Sequence, residues 1–182
     1  MYPNLEPHNA FEFYRTFFDW YCKWANPHYL EVGCGEGGLT GRLAPYCKSA
    51  TGIDISVYPT WSEYQTRTGC MLIMIDSDTY FKSLDPETMY DLIFIDGDHA
   101  KEQVIVDFEY SLVHLSESGL IALHDTYPPN EEATGPMACG TAYKARQDHL
   151  EHYTTKSQLQ VFTFPVTFGL TLVGRNLGAW AS

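Results

Sequence analysis

Apolar and polar positions change period several times along the chain, and each change marks an element. From residue 8 to residue 25, Phe11, Tyr14, Phe18, Tyr21, Cys22 and Ala25 recur at helical spacing, and Asn26-Pro27 stops the run. Residues 29–32 (YLEV) read as a short strand. Leu39, Leu43 and Tyr46-Cys47 space a helix that Pro45 shortens. Residues 50–54 predict a second strand and 59–67 a helix. Residues 70–75 (CMLIMI) are apolar throughout, as in a strand buried on both faces. A short helix follows near 78–83, then a fourth buried strand over 91–95 (DLIFI). Val104, Phe108, Leu112 and Leu115 trace a helix that Ser118-Gly119 breaks, and 120–123 is a fifth strand. Residues 126–138 (TYPPNEEATGPMA) read as a loop and 140–151 as a helix. Two last strand runs, 158–164 and 167–174, are separated only by Pro165 and its neighbours. So short a link suits an antiparallel hairpin, not a crossover.

Strands alternating with helices predict an α/β fold, a Rossmann-like doubly wound sheet of seven strands, mostly parallel with the last strand antiparallel. At 182 residues the chain fits one domain: an aromatic-rich helix over 1–27 belongs to it, and 28–182 carry the sheet. In such sheets ligands bind at the carboxyl ends of the strands, where the strand order reverses. Each predicted strand end carries an acid, a glycine turn or a histidine. GCGEGG follows the first, Asp54 closes the second and Asp76-Ser77-Asp78 follow the third. Asp96-Gly97-Asp98-His99 follow the fourth, and His124-Asp125 the fifth. Asp and Ser also cap helices, so one alone marks nothing; five strand ends together mark a functional edge.

Composition narrows the partners. The chain is 45% hydrophobic and 15% aromatic, which fits a packed core. Its net charge is −12 and no Lys/Arg cluster appears in the sequence, which argues against a nucleic-acid partner. Five cysteines (Cys22, Cys34, Cys47, Cys70 and Cys139), an odd number with no C-x-x-C, read as reduced thiols. The N-terminus lacks a signal-peptide pattern and no apolar run reaches membrane-spanning length. The expectation is a cytoplasmic protein with neither nucleic acid nor membrane as partner.

The turn YLEVGCGEGG fits two ligands. Gly33-x-Gly35-x-x-Gly38 matches the dinucleotide fingerprint, and Glu31-x-Gly33-x-Gly35-x-Gly37 matches a turn that holds S-adenosylmethionine. Asp54 can accept from both ribose hydroxyls of either, and Asp76 and Ser77 would lie near an adenine. Glu31 discriminates. A carboxylate beside the turn repels a pyrophosphate and welcomes an ammonium and a sulfonium.

These segments resemble the class I S-adenosylmethionine-dependent methyltransferases. The similarity lies in E31-V-G-C-G-E-G37, G52-I-D54-I, D91-L-I-F-I-D-G-D-H99 and S118-G-L-I-A-L-H-D-T126, with F168-G-L-T-L-V-G174 as a last strand. The closest branch in pattern holds small-molecule and sugar O-methyltransferases of the macrocin type and cephalosporin-hydroxylase-like proteins. The resemblance implies methyl transfer to a small hydroxylated acceptor, an activity of the EC 2.1.1 type. It also implies that Glu31, Gly33, Cys34, Gly35, Gly37, Asp54, Ile55, Asp76, Ser77 and Asp96 form the cofactor site. In metal-dependent relatives an acid after strand four and a pair after strand five hold the ion. Carried across, these are Asp96, His124 and Asp125, with Mg or Mn as the metal. His124 departs from the usual oxygen pair and suits a softer ion, a base or an orienting role.

Methyl transfer needs the acceptor aligned and its proton removed. His99 is the candidate base, with Asp96 and His124 as further catalytic candidates. The surplus aromatic residues of the first helix would cover the site or a second copy of the chain, leaving a homodimer open. Two other readings stand beside this one: an NAD(P)-linked oxidoreductase, and a non-catalytic S-adenosylmethionine-binding partner.

Overall fold

The computed structural model describes residues 7–136, 138–150, 153, 159–166 and 168–175, with residues 7–12 given by their backbone. Helix α1 (Pro7–Ala25) leads into β1 (His28–Val32), α2 (Gly38–Leu43), β2 (Ser49–Asp54) and α3 (Trp61–Thr68). Then come β3 (Met71–Met74), α4 (Ser77–Ser83), β4 (Tyr90–Ile95), α5 (Lys101–Val113) and β5 (Leu115–His124). The chain closes with α6 (Ala142–Ala145), a π turn over Arg146–Leu150, β6 (Gln160–Phe164) and β7 (Leu170–Gly174). The seven strands lie in the order β3-β2-β1-β4-β5-β7-β6, and β7 runs antiparallel to both neighbours. Strand order reverses between β1 and β4, so the site is expected above that pair.

Alternation along β1 sets two cores. Tyr29 faces a layer made with α1, α2 and α3, while Leu30 and Val32 face one made with α4, α5 and α6. Tyr14, Phe18, Tyr21 and Cys22 turn the inner stripe of α1 onto the first layer. Trp20 and Trp24 stay outside and stack on each other, 6.2 Å between centroids. Phe11 lies outside the described side chains. Among the described residues, no helix is long and apolar enough to cross a membrane.

Two expectations fail at the sheet. The run CMLIMI does not form a strand buried on both faces. β3 is the edge strand, and Met71 and Met74 are 56% and 60% exposed. An apolar run reports hydrophobicity, not position in the sheet. The helix traced to Leu115 also ends early. α5 stops at Val113, and Leu115 begins β5 opposite Tyr90. The next pair is Leu92 with Leu120, so 116–119 bulge out of the register and Ser118-Gly119 lie inside the strand. Asp91 secures the bulge by accepting from Ser116 Oγ at 2.8 Å. His114 ends the helix, its ring stacked on Phe81 and its Nδ1 2.9 Å from the Thr88 carbonyl.

Candidate active site

Strands β1 and β4 end side by side, and their ends nearly touch. Gly33 has φ +84°, and a Cβ there would lie 2.4 Å from both the Asp96 carbonyl oxygen and the Gly97 Cα. Glycine is what lets the two turns close on each other. Asp54 ties in β2: its Oδ2 accepts from the Gly35 N–H and its Oδ1 from the Ser56 N–H, both at 2.9 Å.

Above these turns opens a cleft of about 580 Å³. Asp54, Asp76, Asp78, Asp96, Asp98 and Asp107 line it, and among the described residues no lysine or arginine does. Gly33, Ile55 and Ser77, all sequence candidates, line it too. Asp76 also caps α4, its Oδ1 accepting from the Thr79 N–H at 2.8 Å, so capping and cleft-lining coincide. Sequence reasoning assigned no role to Gln103 or Asp107, which face the cleft from α5. Gln103 donates to Asp107 at 3.0 Å and to Ser77 Oγ at 3.2 Å, and burial raises the Asp107 pKa. Polar residues one turn apart on a helix that follows a glycine-acid turn were the available signal.

Glu31, Cys34, Gly35 and Gly37 do not line the cleft. Cys34 is buried toward the first core layer, while Gly35 and Gly37 shape the turn behind the wall. Glu31 points to α2, where Thr40 Oγ1 donates to its carboxylate. It is 4% exposed, and burial pushes its pKa up to about 8 against the pull of Thr40. Alternation on β1 turns the Glu31 side chain toward α2 and Thr40.

This burial has a measurable sign. The folded pKa, about 8, exceeds the ordinary 4.5, so the native state holds a proton the unfolded chain has released. Stability on this account is full below the ordinary value and falls as pH rises toward 8. Glu31→Gln is expected to flatten that slope and to be more stable than the parent at pH 8. Denaturant midpoints at pH 5, 6.5 and 8 check it, and parallel slopes for the two proteins would refute it.

A second cluster sits beside the cleft. Asp96, His124 and Asp125 bring one donor atom each within 4.8 Å of one another. His124 Nδ1 lies 3.0 Å from Asp96 Oδ1 and 3.4 Å from Asp125 Oδ1. Burial opposes charge on this ring, yet the two carboxylates outweigh it and lift its pKa to about 10. Asp125 sits at φ +58°, a strained conformation for a residue with a Cβ, and its carboxylate is held below the usual range by His124 and His99 despite burial. Tyr14 of α1 lays its ring 5.3 Å from that of His124, a neighbour the sequence reading did not single out. One imidazole nitrogen and two carboxylate oxygens fit a divalent ion and suit manganese better than magnesium. Binding it requires His124 to give up its proton.

His99 joins this cluster to a second cleft, also about 580 Å³, between the start of α5 and the loop that follows β5. Its Nε2 lies 3.0 Å from Asp125 Oδ2, and its Nδ1 meets the Ala138 carbonyl. Gly140, at φ +54°, lets the loop close on His99, since a Cβ there would stand 2.7 Å from the His99 carbonyl. The two clefts share Gly97 and Asp98.

The methyltransferase-domain family matches residues 30–126. A probable cobalt-precorrin-6B C(15)-methyltransferase (decarboxylating) of Archaeoglobus fulgidus is 30% identical over 81 residues, 44% of this chain. The match spans about half of that curated relative's length, 47%. The crystal structure of SAH-bound Podospora anserina methyltransferase PaMTH1 has a TM-score of 0.70 at 18% identity, covering 88% of this chain and 77% of that one. A putative O-methyltransferase from Klebsiella pneumoniae has a TM-score of 0.70 at 17% identity, covering 92% and 85%. With more than half of its residues matched, from the end of β1 through the Asp125 turn, the chain belongs to the methyltransferase-domain family.

Proposed function

We propose that the chain transfers a methyl group from S-adenosylmethionine to a hydroxyl of a small acceptor. The observation that carries this reading is the charge of the first cleft: six aspartates and, among the described residues, no lysine or arginine. A ligand with a sulfonium and an ammonium gains there what a pyrophosphate loses. The likeness to the putative O-methyltransferase of Klebsiella pneumoniae supports oxygen as the accepting atom.

Bound in the cleft, S-adenosylmethionine would supply a methyl group already activated by its sulfonium. Asp54, fixed by two backbone N–H groups, keeps further lone pairs for a ribose hydroxyl pair. Asp76, Ser77 and Gln103 form the wall suited to an adenine. The acceptor fits the second cleft, beside His99. His99 Nδ1 meets the Ala138 carbonyl and its Nε2 faces the Asp125 carboxylate, so the His99–Asp125 pair would receive the acceptor's proton. A proton taken there is held by Asp125. Asp96, His124 and Asp125 would hold a divalent cation, which would lower the pKa of the acceptor hydroxyl.

Calorimetry tests the cofactor. S-adenosylmethionine is expected to bind at least ~100-fold more tightly than NAD⁺, a gap of about 3 kcal/mol. Heat from NAD⁺ with none from S-adenosylmethionine would sink the proposal.

A further inference from the structure

Three arginines far apart in sequence gather in space. Arg15 of α1, Arg42 of α2 and Arg67 of α3 line one pocket with Gly38, Leu39 and Tyr64. Its volume is about 370 Å³. These are three of the five arginines in a chain of net charge −12. No cluster shows in the sequence because one βα unit separates each arginine from the next, and the fold sets the three helices side by side.

The pocket is built, not incidental. Tyr64 rests on the backbone of α2 at Gly41, where a Cβ would come within 2.5 Å of the ring. The Arg67 guanidinium lies over that ring, 5.3 Å from its centroid, and its Nη1 is 3.3 Å from Glu63. Asp19 grips Arg42 through Nε and Nη2 at 2.9 and 2.5 Å. Two acids thus orient two of the arginines and leave three cations against two anions. Planar guanidinium forks converging from three helices match the oxygens of a phosphate, which accept paired N–H bonds. The place matters too. Arg15 follows Tyr14, whose ring packs on His124. The pocket lies among α1, α2 and α3, on the opposite face of the sheet from α5, and its charge is opposite to that of the aspartate cleft.

We propose that Arg15, Arg42 and Arg67 bind a phosphate group. It is carried either by the methyl acceptor, which rests on the methyl-transfer reading, or by a free anionic effector. Titration of the full chain with inorganic phosphate, without S-adenosylmethionine, tests the site. Saturable millimolar binding is expected, weakened about tenfold or more in the Arg15→Gln/Arg67→Gln double variant, as for the loss of two charge-assisted contacts. The Arg15→Lys/Arg67→Lys pair keeps the charge and should retain part of the affinity, which separates lost recognition from lost folding. The affinity for S-adenosylmethionine should not change in either. Methyl transfer to hydroxylated acceptors, offered free and as monophosphates, separates the sources. A lower KM for the monophosphate that disappears in the Gln variant assigns the phosphate to the acceptor. A change in turnover of the free acceptor on adding phosphate assigns it to an effector. No saturable phosphate binding, or binding unchanged in the Gln variant, overturns the proposal. Because the titration needs no methyl transfer, its failure is distinct from failure of the enzymatic reading.

Discussion

Gly33→Ala is expected to destabilise the chain by about 3 kcal/mol or more and to abolish cofactor binding. The cost has two physical sources. At φ +84° an alanine occupies a backbone region that a Cβ makes unfavourable, about 1–2 kcal/mol. The added methyl also meets backbone, not a side chain that can turn away: the Asp96 carbonyl and the Gly97 Cα, each at 2.4 Å. Relief means parting β1 from β4, where the Asp96 N–H donates to the Val32 carbonyl at 2.9 Å. Overpacking of this kind costs about 1–3 kcal/mol. The sum corresponds to a fall of roughly 10 °C in melting temperature for a domain of this size. Gly97→Ala is the control in the same junction. Its Cβ would lie 3.6 Å from Val32, an ordinary contact, and its φ is not left-handed. Thermal melts of both variants, with calorimetry against S-adenosylmethionine, decide the matter. Equal losses for the two would mean that the close approach is not what requires glycine.

The pattern of strands and helices was legible because buried parallel strands are short apolar runs with polar punctuation at their ends. Asp54, Asp76, Ser77 and Asp96 were legible for the same reason: each follows a strand, and the strand ends meet on one edge. What failed to show was whatever depends on facing direction or neighbours in space. Glu31 follows the sequence motif but turns inward to Thr40, because period-two alternation decides its side and the motif does not. β3 is apolar yet lies at the edge, since strand order is not written in any one strand. Ser118-Gly119 looks like a helix stop and is a bulge, because the same residues serve both. The arginine pocket is assembled from three helices, and Tyr14 of α1 meets His124 at the end of β5. Neither has a local signature.

The opposed charges of the two pockets follow from the same topology. Acids sit at strand ends, where the turns expose them together above β1, β2 and β4. The arginines sit inside or near the ends of helices on the first core layer, one layer away. An excess of acid around the cofactor cleft raises the local concentration of a cationic ligand, and it would repel an anionic acceptor entering by the same door.

His99→Gln is expected to lower turnover by about 10²–10⁴-fold while leaving S-adenosylmethionine affinity unchanged, the range for losing a positioned general base. Affinity should hold because His99 lines the second cleft and not the first. Turnover should fall because glutamine cannot take a proton, although its amide can still reach the Ala138 carbonyl. Asp125→Asn should lose a similar factor, since it removes the carboxylate 3.0 Å from Nε2 that stabilises the proton once taken. If the two act as one unit, the double variant is no worse than the poorer single variant, which is the signature of coupled residues. Single-turnover rates at saturating S-adenosylmethionine, measured with and without added Mn²⁺, supply the numbers. Additive losses would separate the two roles and leave Asp125 to the Asp96–His124 cluster. A His99→Gln rate within about threefold of the parent, below 1 kcal/mol, would remove His99 from the chemistry and leave deprotonation of the acceptor to that cluster.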